Sequence, residues 1–200
     1  MSEPPIELEP DNHFDPPDLP GNVVMFASDE AAIDAAIREL HIAADAAVRA
    51  RGRFHLAVSG DVSLEPMWAR MMIDPDLRLF PWPETHLWIA ALATDHESTL
   101  MRIQESLILP SGIPEENVHT PLNTESDEPP PIAHDSAARP LDAAVLSDAQ
   151  LTSSLDECSF LRTARTLRVM GLGQPFELCQ DLAELAHAHT GDLRWYLVGA

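Results

Sequence analysis

Asp95, His96 and Glu97 are the residues whose types could most directly support catalysis. They combine two carboxylates with an imidazole, the groups that act as general acids and bases. His119, which ends the stretch 112–119, is a further candidate. Neighbours on a loop aim in different directions, and acids before a helix commonly complement its N-terminus. His96 has no second ligand pair at a fixed spacing, so no metal site is predicted.

A second candidate site is the turn that follows the apolar run 54–58. Ser59 and Gly60 begin this turn, and a tight turn between a strand and a helix can cradle a phosphate with its backbone N–H groups. Asp61 follows, and its negative charge would oppose a phosphate. Asp61 could instead cap the next helix, and we favour this interpretation.

Gly171 and Gly173 form a Gly-Leu-Gly stretch after another apolar run. A Gly-Leu-Gly stretch after a strand suggests the start of a dinucleotide-binding loop. A dinucleotide loop would need a third glycine, but Phe176 occupies that position. No cofactor is predicted.

The composition excludes several kinds of partner. The chain has 200 residues and a net charge of -21, which repels nucleic acid and anionic membrane surfaces. All 12 basic residues are arginines, so lysine chemistry is excluded. No signal segment or membrane-spanning run is recognisable, which predicts a cytoplasmic protein. Cys158 and Cys179 match no metal or redox spacing and are expected to be reduced thiols.

Strand and helix patterns alternate along the chain. This alternation predicts an α/β fold: one domain in three layers, with a mostly parallel sheet and helices on both faces. The domain is expected to span residues 22–200. Residues 1–21 are predicted to be a disordered acidic, proline-rich arm, and 120–140 an acidic, proline-rich surface loop. Strands are predicted at 22–26, 53–60, 85–92, 141–147, 165–173 and 192–199. Helices are predicted from a cap at Ser28 to a stop at Gly52 and at 64–72, 97–109 and 175–189, and a structured loop is predicted at 112–119.

Three stretches resemble one enzyme family. "RGRFHLAVSGDVSLEPMW" (51–68), "GIPEENVH" (112–119) and "GDLRWYLV" (191–198) look, in this order, like 6-phosphogluconolactonase, of the glucosamine-6-phosphate isomerase-like group. The resemblance spans about residues 22–199. It implies opening of the 6-phosphogluconolactone ring in the pentose phosphate pathway. That reaction needs a phosphate cradle, a base that activates water, and a donor for the oxyanion.

The family's polar motifs are altered in this chain. Its Ser-Gly-Gly-Ser turn corresponds to residues 59–62, with Asp61 in place of the second glycine and Val62 in place of the hydroxyl. Its Gly-Asp-Glu-Arg motif corresponds to the apolar stretch 90–93. Its Asp-Gly-His motif, which carries the base, corresponds to 141–155, where no histidine occurs and Asp148 could be a remnant. The glycines of the family's Gly-x-Gly-Lys turn are kept at Gly171 and Gly173, so the resemblance makes them candidate ligand-binding remnants. Gln174 occupies the position of that turn's phosphate-binding lysine.

Two functional hypotheses remain at this point. The preferred one is a divergent relative without efficient lactonase activity, which binds a small sugar or sugar-phosphate ligand or a protein partner. The alternative is an active sugar or sugar-phosphate lactone hydrolase that uses Asp95, His96 and Glu97. Each hypothesis keeps the protein within carbohydrate metabolism.

Arg162, Arg165 and Arg168 form a basic group spaced three residues apart. If helical, they would share a face and pair with carboxylates of the acidic loops. We favour this ion-pair interpretation over an anion-binding site.

Overall fold

The computed structural model describes residues 17–77, 79–91, 96–119, 141–147, 161, 164–172 and 180–199. The described strands are β1 (Asn22–Phe26), β2 (Phe54–Ser59), β3 (Thr85–Ala91), β4 (Val118–His119), β5 (Ala143–Ser147), β6 (Thr166–Gly171) and β7 (Asp192–Val198). The described helices are α1 (Asp29–Arg51), α2 (Glu65–Ile73), α3 (His96–Ile103) and α4 (Gln180–Ala188). A 3₁₀ turn (Val62–Leu64) precedes α2, and α3 continues through a π-helical segment (Gln104–Ile108) into a last turn (Leu109–Ser111).

The strands form one seven-stranded sheet in the order β1-β7-β6-β5-β2-β3-β4. Every described pairing is parallel, which confirms the predicted α/β fold. Because all strands run the same way, their carboxyl ends share one edge of the sheet. In open α/β sheets, ligands bind outside this edge.

Helix α1 begins and ends where the sequence predicts. The side chain of Ser28 accepts a hydrogen bond from the Ala31 N–H at 3.2 Å, which satisfies a donor at the helix start. Gly52 ends the helix with φ of 74°, a left-handed conformation that suits glycine. The buried face of α1 consists of Ala32, Ile33, Ala36, Ile37, Leu40, Ala44 and Ala47.

Apolar side chains cover both faces of the sheet. On β2, Phe54, Leu56 and Val58 point into a core shared with α1 and α2. Ala57 points to the opposite face, where a second core includes Ala186 of α4. Helices therefore lie on both faces, in three layers as predicted. Strands buried on both faces explain the nearly continuous apolar runs in the sequence.

Strand β4 is an addition to the predicted elements. Residues 112–119 were expected to be a structured loop, but their last two residues pair with β3. A strand of two residues is too short to show the alternation of apolar and polar residues from which strands are predicted. Within the residues that the structure describes, no helix is both long and apolar enough to cross a lipid bilayer.

The last residues of the predicted arm contact the domain. The Trp195 side chain donates a hydrogen bond to the Pro20 carbonyl at 2.6 Å, and Leu19 packs against the second core. The domain therefore extends slightly before residue 22. Residues 1–16 and 120–140 lie outside the described residues.

At the amino-terminal edge of the sheet, Asp142 joins several elements. Its buried carboxylate accepts hydrogen bonds from the Arg51 guanidinium and, at 3.0 Å, from the His55 backbone N–H. Arg165 lies 3.6 Å from the same carboxylate. Asp142 thus ties the end of α1 to the starts of β2, β5 and β6.

A second ion-pair network joins α1 to β6 and β7. Glu39 accepts from Arg168 at 3.0 Å and from Arg194 at 2.6 Å. Arg168, which is 7% exposed, also donates to Asp192 at 2.7 Å. Partial burial favours a higher pKa for Asp192, but hydrogen bonding and charge from Arg168, with Arg194, hold the pKa below its usual value.

The expectation for the arginine group is therefore correct in kind and wrong in detail. Arg165 and Arg168 do form ion pairs, as described above. However, Arg168 lies in strand β6 rather than in a helix, and its partners lie on α1 and β7 rather than on acidic loops. Arg162 is outside the described residues.

Candidate functional site

The structure brings several of the predicted ligand-binding residues to the carboxyl edge. Ser59 ends β2 and Gly60 follows it, while Gly171 ends β6. β5 lies between these two strands and ends at Ser147. Gly173 lies outside the described residues.

Three serine side chains are linked at this edge. Ser59 Oγ accepts a hydrogen bond from the Ser147 backbone N–H at 3.0 Å. Ser63 Oγ and Ser147 Oγ are 3.0 Å apart and hydrogen-bonded. Ser59 is 2% exposed and Ser147 is fully buried, so these hydroxyls hold the strand ends together. We call Ser59, Ser63 and Ser147 the serine cluster.

Asp61 is part of the turn itself. Its backbone is extended, with φ of -77° and ψ of 140°, and its Oδ1 accepts from the Ser63 N–H at 2.7 Å. The Leu64 N–H donates to the Asp61 carbonyl at 3.2 Å, and the Glu65 N–H donates to Val62. The predicted cap role of Asp61 is therefore confirmed. Three consecutive N–H groups of the turn already have acceptors within the chain.

The structure describes little of the predicted catalytic triplet. Asp95 lies outside the described residues, and for His96 only the backbone is described, at the first position of α3. Glu97 lies in the first turn of α3 and is exposed. A carboxylate in the first turn stabilises the positive end of the helix dipole, which is the structural role that the sequence analysis gave as the alternative to catalysis. Asp148 and Gln174 also lie outside the described residues.

His119 lies in a stack of rings on β2, β3 and β4, where its ring packs on Trp88 with centroids 3.9 Å apart. Its Nε2 is 3.3 Å from His86 Nδ1, and His86 stacks on His55 at 4.8 Å. Burial, followed by repulsion from His86, lowers the pKa of His119 to about 4. Its described partners are therefore Trp88 and His86, and neither belongs to the serine cluster.

Among the described residues, no three His, Cys, Asp or Glu side chains are arranged to hold a metal ion. A groove of about 430 Å³ lies between α1 and the segment after α2. Arg70 in this groove is within 3.4 Å of Asp34 and 3.7 Å of Asp74, so its charge is compensated.

Sequence reasoning missed Ser63 and Ser147 as members of the site. Ser147 ends a buried apolar strand, and this position could have identified it. Its contact with Ser63 joins residues that are far apart in the chain and depends on β5 lying beside β2.

Comparisons with known proteins agree with this architecture. Residues 27–173 match the sequence profile of a family described as glucosamine-6-phosphate isomerases/6-phosphogluconolactonase. No curated protein sequence matches the chain.

Solved structures resemble the chain over almost its whole length. A 6-phosphogluconolactonase from Thermotoga maritima is 14% identical, with a TM-score of 0.59 over 90% of this chain and 99% of that one. The corresponding enzyme from Trypanosoma cruzi is 10% identical, with a TM-score of 0.62 over 92% and 96%. One from Shewanella baltica is 15% identical, with a TM-score of 0.59 over 88% and 97%. At such identities these similarities establish the fold alone.

Proposed function

Because the chain belongs to the glucosamine-6-phosphate isomerase/6-phosphogluconolactonase family, we propose that it is a divergent member without efficient lactonase activity. It binds a small sugar-derived ligand at the carboxyl edge, or acts through a protein partner. Its place in carbohydrate metabolism follows from the family, and its cytoplasmic location remains a prediction.

The hydrogen bonding of the serine cluster is the observation that carries this proposal. At the ends of β2 and β5, the described polar side chains bond to each other and to the turn. Asp61 is the one titratable residue among these partners, and it caps the turn. A serine hydroxyl is a weak nucleophile unless a base takes its proton, and in the hydrogen bonds named here the Ser59 and Ser63 hydroxyls bond only to Ser147.

The expected loss of activity is large. A general base contributes about 100 to 10,000-fold to a rate, and an oxyanion donor about 100 to 1,000-fold. The lactone of the family reaction also opens spontaneously in water. A site that lacks the base would therefore differ little from solvent.

The test is hydrolysis of 6-phosphogluconolactone by the purified protein, with the spontaneous rate subtracted and an active 6-phosphogluconolactonase assayed alongside. We expect a catalysed rate at least about 100-fold below that of the active enzyme. A comparable rate would contradict the proposal. Loss of that rate in a variant with Asp95→Asn, His96→Gln and Glu97→Gln would then support the alternative hydrolase.

A further inference from the structure

The turn after β2 carries the carboxylate of Asp61 at the place where a bound anion would need backbone N–H donors. In turns of this kind, backbone N–H groups and the start of a helix attract phosphate. Here the 3₁₀ turn runs directly into α2. The Asp61 carboxylate takes the Ser63 N–H at 2.7 Å, so the chain's own anion occupies this donor.

A neighbouring donor at the carboxyl edge is occupied in the same way. The Ser147 N–H, at the end of β5, donates to Ser59 Oγ. A phosphate would have to displace these internal acceptors, and it would also meet the charge of Asp61. Because repulsion between two charges falls with distance, Asp61 should weaken the binding of a ligand whose phosphate lies near this turn more than the binding of one without a phosphate.

We infer that Asp61 is a specificity-determining residue that excludes phosphorylated ligands, so that the ligand of this edge is a sugar derivative without a phosphate group. The inference rests on the proposed function, because it assigns a ligand class to the same edge. Asp61 acts in two ways: its carboxylate repels a phosphate, and its Oδ1 occupies the Ser63 N–H.

Replacement of Asp61 separates these two effects. Asp61→Gly removes both the charge and the acceptor, and the φ of -77° places no strain on the new residue. Asp61→Asn removes the charge but keeps a side-chain oxygen that can cap Ser63. Glu65→Gln is the matched control, since it removes a negative charge from the first turn of α2 without releasing the Ser63 N–H.

The experiment is isothermal titration of each protein with 6-phosphogluconate and with gluconate, which differ by the phosphate group. We expect the unmodified protein to bind 6-phosphogluconate no more tightly than gluconate. Asp61→Gly should gain about tenfold or more in affinity for 6-phosphogluconate alone, Asp61→Asn should gain less, and Glu65→Gln should gain little. Circular dichroism checks that each variant is folded.

Tighter binding of 6-phosphogluconate than of gluconate by the unmodified protein would overturn the inference. So would an unchanged affinity in both Asp61 variants, or an equal gain in Glu65→Gln. These outcomes are independent of the lactonase assay. Hydrolysis of an unphosphorylated lactone would overturn the proposed function and leave the role of Asp61 intact.

Discussion

Strand β5 runs between the two edges of the sheet, and different kinds of polar group lie at its two ends. Just before its start, the Asp142 carboxylate is paired with Arg51 and approached by Arg165. At its end, Ser147 bonds to Ser59 and Ser63. Both ends are buried, so burial alone does not decide which polar groups occur. The amino edge supplies arginines to its carboxylate, whereas the serine cluster uses neutral hydroxyls.

This difference separates the ion pairs that join α1 to the sheet from the hydroxyl contacts at the carboxyl edge. The ion pairs around Asp142 and Glu39 join α1, β5, β6 and β7 without residues of the serine cluster. Substitutions at the carboxyl edge could therefore accumulate without releasing these contacts. The expected result is a preserved family fold whose active-site motifs have changed.

Removal of Asp142 should have the largest effect on stability. We expect Asp142→Ala to lower the free energy of unfolding by about 3 kcal/mol, because the His55 N–H loses its acceptor and Arg51 and Arg165 lose their partner. Urea denaturation measures this change. Asp45→Asn, which alters an exposed carboxylate paired with Arg49 on α1, is the control and should cost about 0.5 kcal/mol. Equal effects of the two substitutions would mean that the buried pairs of Asp142 add no more stability than a surface ion pair.

Glu39→Gln tests the second network and should have a smaller effect. Arg168 and Arg194 lose a carboxylate, but Asp192 still contacts both. We expect a loss of about 2 kcal/mol in the free energy of unfolding, again measured in urea. A neutral result would mean that the ion pairs of Glu39 add no stability to that provided by apolar packing and the Arg51–Asp142 pair.

The smallest expected effect is that of pH on the ring stack. His119 has a pKa of about 4 in the folded protein and 6.5 as its usual value, so the unfolded chain binds the proton more readily between these values. The stabilising effect of neutral His119 is complete above pH 6.5 and is lost as the pH falls toward 4. Because His119 is partly solvated, we expect a loss of only about 1 kcal/mol.

Urea denaturation at pH 7, 5.5 and 4.5 measures this dependence, and His119→Gln is the comparison. The variant should show a flatter dependence between pH 6.5 and 4. Asp192 does not contribute to this dependence, because its pKa is lowered from 3.8 and its stabilising effect is lost only at a lower pH than that of His119. An unchanged slope in the variant would assign the pH dependence to other groups.

Local chemistry explains which features were predictable from the sequence. The caps at Ser28 and Asp61, the stop at Gly52 and the apolar strands depend on neighbouring residues and were predicted correctly. The Glu39 network and the contact between Ser63 and Ser147 join distant residues, so they depend on the order of the strands. The sequence resemblance indicated the fold but did not give these contacts.

The pairing of β1 with β7 has a consequence for how the chain folds. Val24 lies opposite Tyr196, so the first strand is completed by the last. During synthesis on the ribosome, β1 must remain without this neighbour until β7 has emerged. Such long-range pairing closes a very large loop and is expected to be slow. The nascent chain would then benefit from chaperone protection of the apolar residues Val23 and Met25 until the sheet is complete.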